Sequence, residues 1–159
     1  MAVYERTVRV AAPLEEVWDF HSRVTGLTAL TPDWFNLEIE SVTGPDGEPD
    51  PDVLVEGSRI VASVRPFGVG PRQQWTSEIV ARTEGDGRAS FRDRMVDGPF
   101  AAWEHTHTFR ERGDATAVRD RVECELPGGG LGRLVSPVAT VGLAPTFRYR
   151  HRRTRELLE

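Results

Sequence analysis

Lysine is absent from this chain, and all 20 of its basic residues are arginine. Arginine codons are GC-rich, so the bias fits a GC-rich genome; with an acid excess it also suits a salt-adapted organism. Cysteine is nearly absent, and the single Cys124 excludes an internal disulfide and a Cys-based zinc knot. No apolar run reaches the roughly 18 residues of a membrane span. The N-terminus lacks the apolar core of a signal peptide, which points to a cytoplasmic address. A net charge of −5 argues against general nucleic-acid affinity. Gly-rich phosphate loops, dinucleotide fingerprints and nucleophile elbows are also missing, so no cofactor is implied. What remains fits one domain over residues 1–159, large enough for a real hydrophobic core and either a monomer or a homodimer.

The pattern along the chain is α+β. Tyr4, Arg6, Val8 and Val10 alternate with Val3, Glu5, Thr7 and Arg9 as a strand does. Pro13 suits the first turn of a helix, and Leu14, Val17, Trp18 and Phe20 carry its apolar stripe. A second short helix is expected near Arg23–Leu30, stopped by Thr31-Pro32. Strands follow at 35–42, 57–66 and 72–83. Between the first two, Gly44–Asp52 reads as the segment most prone to disorder, and its prolines spoil the ligand spacing of a calcium loop. On the strand at 72–83, Gln73, Trp75, Ser77 and Ile79 share a face opposite Gln74, Thr76 and Glu78. Gly85-Asp86-Gly87 and Gly113-Asp114 read as hairpin turns. Leu131–Glu159 reads as a long helix, kinked at Pro137 and Pro145, with Leu131, Leu134, Val135 and Val138 on one face.

The stretch Phe91–Phe109 carries the chemistry. Strand alternation puts Phe91, Asp93 and Met95 on one face, and Trp103, His105, His107 and Phe109 on the matching face of the next strand. The following strand adds Val118, Asp120, Val122 and Cys124. A face that buries aromatics yet keeps two Asp and two His is unusual for a plain core, because an unpartnered buried polar group costs about 1–3 kcal/mol. The opposite faces hold Arg92, Arg94, Glu104, Arg119 and Glu123, the makings of a solvated charge ladder.

The element order, with Ala-Pro-Leu-Glu-Glu-Val-Trp at 12–18 and the long final helix, resembles the SRPBCC superfamily. This is the START/Bet v 1-like group that includes polyketide cyclase/dehydrase and lipid-transport proteins. A subgroup of ligand-binding SRPBCC domains carries a Phe-x-Asp and Gly-Pro-Phe-x-x-Trp-x-His-x-His-x-Phe core. Here Phe91, Asp93, Gly98, Pro99, Phe100, Trp103, His105, His107 and Phe109 match it. The resemblance covers the whole chain. It implies a helix-grip fold: a curved antiparallel sheet of about seven strands around a long C-terminal helix, with two short helices after the first strand. It also implies a cavity between sheet and helix, and no particular catalytic residue.

On that fold, Trp75, Ser77, Phe91, Asp93, Met95, Trp103, His105, His107 and Asp120 would line one space, with Phe147 and His151 of the final helix opposite. Such a surface, apolar and aromatic with a few converging polar groups, suits a small apolar or aromatic molecule. Three readings of Asp93, His105, His107 and Asp120 stay open. They form an internal hydrogen-bond network, or they orient a ligand, or a His oriented by an Asp acts as general acid or base in a cyclase, dehydrase or hydrolase reaction. His105 and His107 point the same way and with a carboxylate could ligate zinc or iron. With two His and no Cys thiolate converging, the expectation is no tightly bound metal. The basic run at 148–155 reads as charge that complements the helix dipole.

Overall fold

Residues 1–159 are all described by the computed structural model. The elements are β1 (Ala2–Val10), α1 (Leu14–His21), α2 (Val24–Ala29), β2 (Glu38–Thr43), β3 (Arg59–Val64), β4 (Gln73–Gly85), β5 (Arg88–Asp97), β6 (Ala102–Arg112), β7 (Ala115–Glu125) and α3 (Gly129–Leu158). The strands form one curved antiparallel sheet in the order β1-β7-β6-β5-β4-β3-β2, so the first strand closes the far edge beside the last. This is the expected helix-grip architecture. Every later neighbour is a hairpin partner, which local turn chemistry explains. At the β4–β5 joint, for example, Asp86 and Gly87 take φ of 52° and 71°, as a type I′ turn requires.

Thirteen buried residues form the main core, among them Val10, Val17, Trp18, Ile60, Ile79, Phe91, Phe109 and Val118. It lies where α1 covers the concave face. A second, smaller cluster of Ala2, Val122, Cys124 and Phe147 lies under α3. On the convex face Arg92 and Arg94 both reach Glu104, and Arg119 and Arg121 both reach Glu5. That is the charge ladder read from the alternation; exposed pairs of this kind contribute little stability each.

Three details differ from the sequence reading. First, β4 carries an irregularity between Ile79 and Ala81 that reverses its phase. Arg82 and Glu84 therefore turn inward instead of outward. Arg82 stacks over Trp18 at 4.2 Å and donates to Ser22 Oγ and the Leu54 carbonyl, both at 3.0 Å. Glu84 accepts the Trp18 indole N–H at 2.8 Å. Second, the Gly44–Asp52 loop folds into an ordered turn: the Gly44 amide donates to the Glu48 carbonyl at 2.8 Å, and the Asp46 amide to the Glu48 carboxylate at 3.0 Å. Third, α3 runs as one helix that includes Pro137 and Pro145, but not all of its apolar stripe is covered. Its first half leaves Leu131, Leu134, Val138 and Val141 between 69 and 76% exposed, so that apolar stripe is not core. Its second half buries Phe147, His151 and Thr154 against the sheet.

Candidate functional site

Antiparallel register puts the polar residues side by side: Asp93 lies opposite His105, and His107 opposite Asp120. From above, α3 lowers Phe147 and, one turn later, His151 onto the same spot. All four sheet residues therefore share the concave side, as their phase with the apolar residues of each strand requires.

Asp120 is the hub. His105 Nε2 donates to its Oδ1 at 2.7 Å, and His151 Nε2 donates to its Oδ2 at 2.6 Å. His107 Nδ1 also lies 3.1 Å from Oδ1, off the line of a directed hydrogen bond. Asp93 accepts from His107 Nε2 at 3.0 Å and from Ser77 Oγ at 3.1 Å, with His105 Nδ1 3.9 Å away. Each of the two β6 imidazoles thus bridges the two carboxylates. The rings are walled by aromatics: Phe91 stacks on His107 at 4.0 Å, His107 on His105 at 3.6 Å, and Phe147 meets His105 edge-on at 5.2 Å.

Burial sets a penalty on every charge here, and the partners decide the outcome. For Asp120 the penalty is outweighed by His105, His107 and His151, which hold its carboxyl well below the usual range. Asp93 is likewise lowered: burial opposes its charge, but the hydrogen bond from His107 and the field of both β6 imidazoles prevail. His107 is resisted by burial yet raised overall by Asp120 and Asp93. His105 goes the other way, lowered by burial and by neighbouring His107 despite its bond to Asp120. The opposed displacements follow from the contact between the rings: a charge held on His107 by the two carboxylates opposes a second one on His105. With no lysine in the chain, a side-chain Schiff base with a carbonyl compound is excluded.

The network separates the two apolar clusters and is itself almost dry: His105, His107, Asp120 and His151 are at most 7% exposed. Asp93 is the opening, its side chain 17% exposed against 4% for Asp120. On its side of the sheet Trp75, Ser77, Met95 and Trp103 are half-buried; α3 packs chiefly against β1 and β7, away from β4 and β5. Asp93 lines neither of the two open hollows of note, of about 350 and 360 Å³. One is lined by Arg6, Arg148, His151, Arg152 and Arg155 where β1 meets the end of α3. The other lies among Asn36, Glu38, Arg65 and Arg72. Phe147 and His151 belong to the contact between α3 and the sheet.

His151 completes the hub, a role its sequence position only hinted at. Arg6 and Tyr4 are in phase with Val8 and Val10 on β1. Tyr4 lies 5.3 Å from the Phe147 ring, and Arg6 lines the first hollow. In the basic run, Arg152, Arg153 and Arg155 pair with Glu156 and Glu159 within the helix.

A curved seven-stranded sheet gripping a long helix over a His/Asp network defines a helix-grip protein of the START/Bet v 1-like class. The chain belongs to the polyketide cyclase/dehydrase and lipid transport family, whose model matches residues 10–143. No functionally curated protein matches it in sequence. In fold it is similar to a Chromobacterium violaceum protein (TM-score 0.70, 14% identity, covering 99% of this chain and 96% of that one). It is similar to a START superfamily protein from Mycobacterium smegmatis (TM-score 0.62, 16% identity, 99% and 97% covered). It also resembles norcoclaurine synthase from Thalictrum flavum, solved with dopamine and hydroxybenzaldehyde (TM-score 0.65, 16% identity, 99% and 88% covered). At these identities the likeness is one of fold. No helix is long and apolar enough to cross a membrane.

Proposed function

We propose that the protein binds a small, largely apolar or aromatic molecule on the concave side of β4–β6. The body of the ligand packs against Trp75, Met95 and Trp103, and its polar end meets Asp93 and Ser77. One observation carries this reading: Asp93, the only partly open member of an otherwise dry network, sits beside half-buried Trp75 and Met95 on strands that α3 does not pack against. An aromatic wall with one oriented polar group is how small-molecule sites combine affinity and specificity. Family membership is in keeping with it.

The test is a titration of the purified protein with an apolar fluorescent probe, paired with mass spectrometry of whatever co-purifies under gentle conditions. Trp103→Ala should weaken probe binding about tenfold or more, as loss of a buried aromatic contact does. Val3→Ala on the convex face should leave binding unchanged. Equal probe affinity in wild type and Trp103→Ala sinks the reading.

A second reading uses the same surface for catalysis of cyclase or dehydrase type. The contact of His107 Nε2 with Asp93 at 3.0 Å favours it, since a carboxylate that orients an imidazole is how a His is set to move a proton. Here Asp93→Asn would abolish turnover of a carbonyl substrate while keeping probe affinity.

A further inference from the structure

The arrangement of the two β6 imidazoles has a property that ligand orientation does not require. Each ring is strung between the same two carboxylates, with one nitrogen toward Asp120 and the other toward Asp93. A metal-ligating His usually gives its non-ligating N–H to a carboxylate or carbonyl, which fixes the tautomer and aims the ring. Asp120 stands in that place for His105, lies 3.1 Å from the Nδ1 of His107, and is itself anchored by His151 at 2.6 Å.

We propose that Asp93, His105 and His107 form a binding site for a divalent transition metal of the zinc class, with Asp120 positioning both imidazoles from behind. The donors would be Asp93 Oδ2, His105 Nδ1 and His107 Nε2. Ligand atoms about 2.1 Å from a tetrahedral zinc stand about 3.4 Å apart. The separations from Asp93 Oδ2, 3.9 Å to His105 Nδ1 and 3.0 Å to His107 Nε2, bracket that value. One donor atom from each of these residues falls within 4.8 Å of the others. Small shifts of two side chains would complete the geometry.

Two further observations point the same way. His107 is 5% exposed, yet its Nδ1 has no directed hydrogen-bond partner, although Asp120 Oδ1 is only 3.1 Å away. Metal on Nε2 would place the ring proton on Nδ1, and a small rotation of the ring would aim it at that oxygen. Ser77 holds the other oxygen of Asp93, leaving Oδ2 turned to the imidazoles. Three protein donors leave a fourth position, and Asp93 is the member nearest the open side. That is the pattern of a site that presents its metal to a small molecule, unlike the closed sphere of a structural zinc. The sequence-based expectation of no metal rested on two His and no Cys thiolate converging. The fold sets the Asp93 carboxylate against both rings and a second carboxylate, Asp120, behind them. The proposal does not depend on the apolar-ligand reading.

The experiment uses the untagged full chain, stripped with chelator and dialysed near neutral pH. Zinc is titrated by calorimetry, and cobalt(II) serves as an optical probe of coordination. The expected result is stoichiometric zinc binding, a raised thermal midpoint and the intense visible bands of a low-coordinate cobalt site. Asp93→Asn, which keeps the side-chain shape, and His105→Ala should lose binding. Asp120→Asn keeps every donor and should weaken affinity about 10–100-fold, the effect of a removed outer partner. Melts of each metal-free variant establish that it is folded; if His105→Ala is not, Asp93→Asn and the wild-type cobalt spectrum decide. No zinc binding at micromolar concentration overturns the proposal, and so does binding that Asp93→Asn leaves unchanged. Either result leaves the apolar-probe titration, done without metal, standing on its own.

Discussion

Asp120 has the most to lose by substitution. Its carboxylate satisfies His105 and His151 directly and faces His107, all in a nearly dry environment. Removing one partner of a buried ionic network leaves the others uncompensated, so Asp120→Ala should cost about 3–5 kcal/mol, measured by urea unfolding. His105→Phe should be milder, about 1–2 kcal/mol. Asp120 keeps His151, Asp93 keeps His107 and Ser77, and an aromatic ring of similar size still meets Phe147. A loss of 3 kcal/mol or more for His105→Phe would mean that the network serves the core before any ligand. The inward placement of these residues was legible in the sequence, because each sits in phase with the apolar residues of its own strand. The inward turn of Arg82 and Glu84 was not. It follows from one irregularity in β4, which no local residue preference marks, and which reverses every side chain beyond it.

At the scale of elements, the joint between β5 and β6 and the long helix each carry a specific expectation. Gly98, with φ of 156°, lies against two of the residues assigned to the ligand surface. A Cβ there would stand 2.5 Å from Met95 Sδ and 2.8 Å from Trp75 Cβ. Gly98→Ala should therefore cost about 1–3 kcal/mol in a thermal melt, by overpacking and backbone strain, and should also disturb probe binding. In α3, Pro145 is exposed and lacks the amide that would bond the Val141 carbonyl. Replacing it with Ala restores that bond and removes a ring from the helix interior, against a smaller entropic loss through the unfolded chain. The expected net gain is about 1–2 kcal/mol. A lower melting temperature for Pro145→Ala would show that the helix needs its proline. The existence and length of α3 were readable from its periodicity. The exposure of Leu131, Leu134 and Val138 was not, because a stripe at helical spacing does not say whether a neighbour covers it.

Over the whole molecule, the buried titratable groups combine into one dependence of stability on pH. His21, closed in at the end of α1 against Phe109, donates from Nδ1 to the Val17 carbonyl at 2.7 Å. Burial lowers its pKa to about 3; Arg150 and His107 add to the lowering, while the Val17 carbonyl and Asp120 act against it. A base with a lowered folded pKa binds fewer protons folded than unfolded. Its contribution is full above the unfolded value of 6.5 and falls as pH drops toward about 3. His105 is lowered too and acts in the same direction. Asp93 and Asp120, also lowered, add to the loss once pH falls below 3.8 and through their folded values. His107 has the opposite sign: raised above 6.5, it supports the fold below that pH and loses its effect as pH rises through its folded value. Metal-free protein should therefore be most stable near neutrality and weaken steeply in acid. The slope is at most about 1.4 kcal/mol per pH unit for each proton taken up. Unfolding of wild type and His21→Phe between pH 7 and pH 3 isolates the first contributor. The variant keeps an aromatic ring beside Phe109 but cannot titrate, so its acid limb should be flatter by up to that slope over the window from 6.5 to about 3. Parallel curves for the two proteins would place the acid sensitivity in the His/Asp network alone.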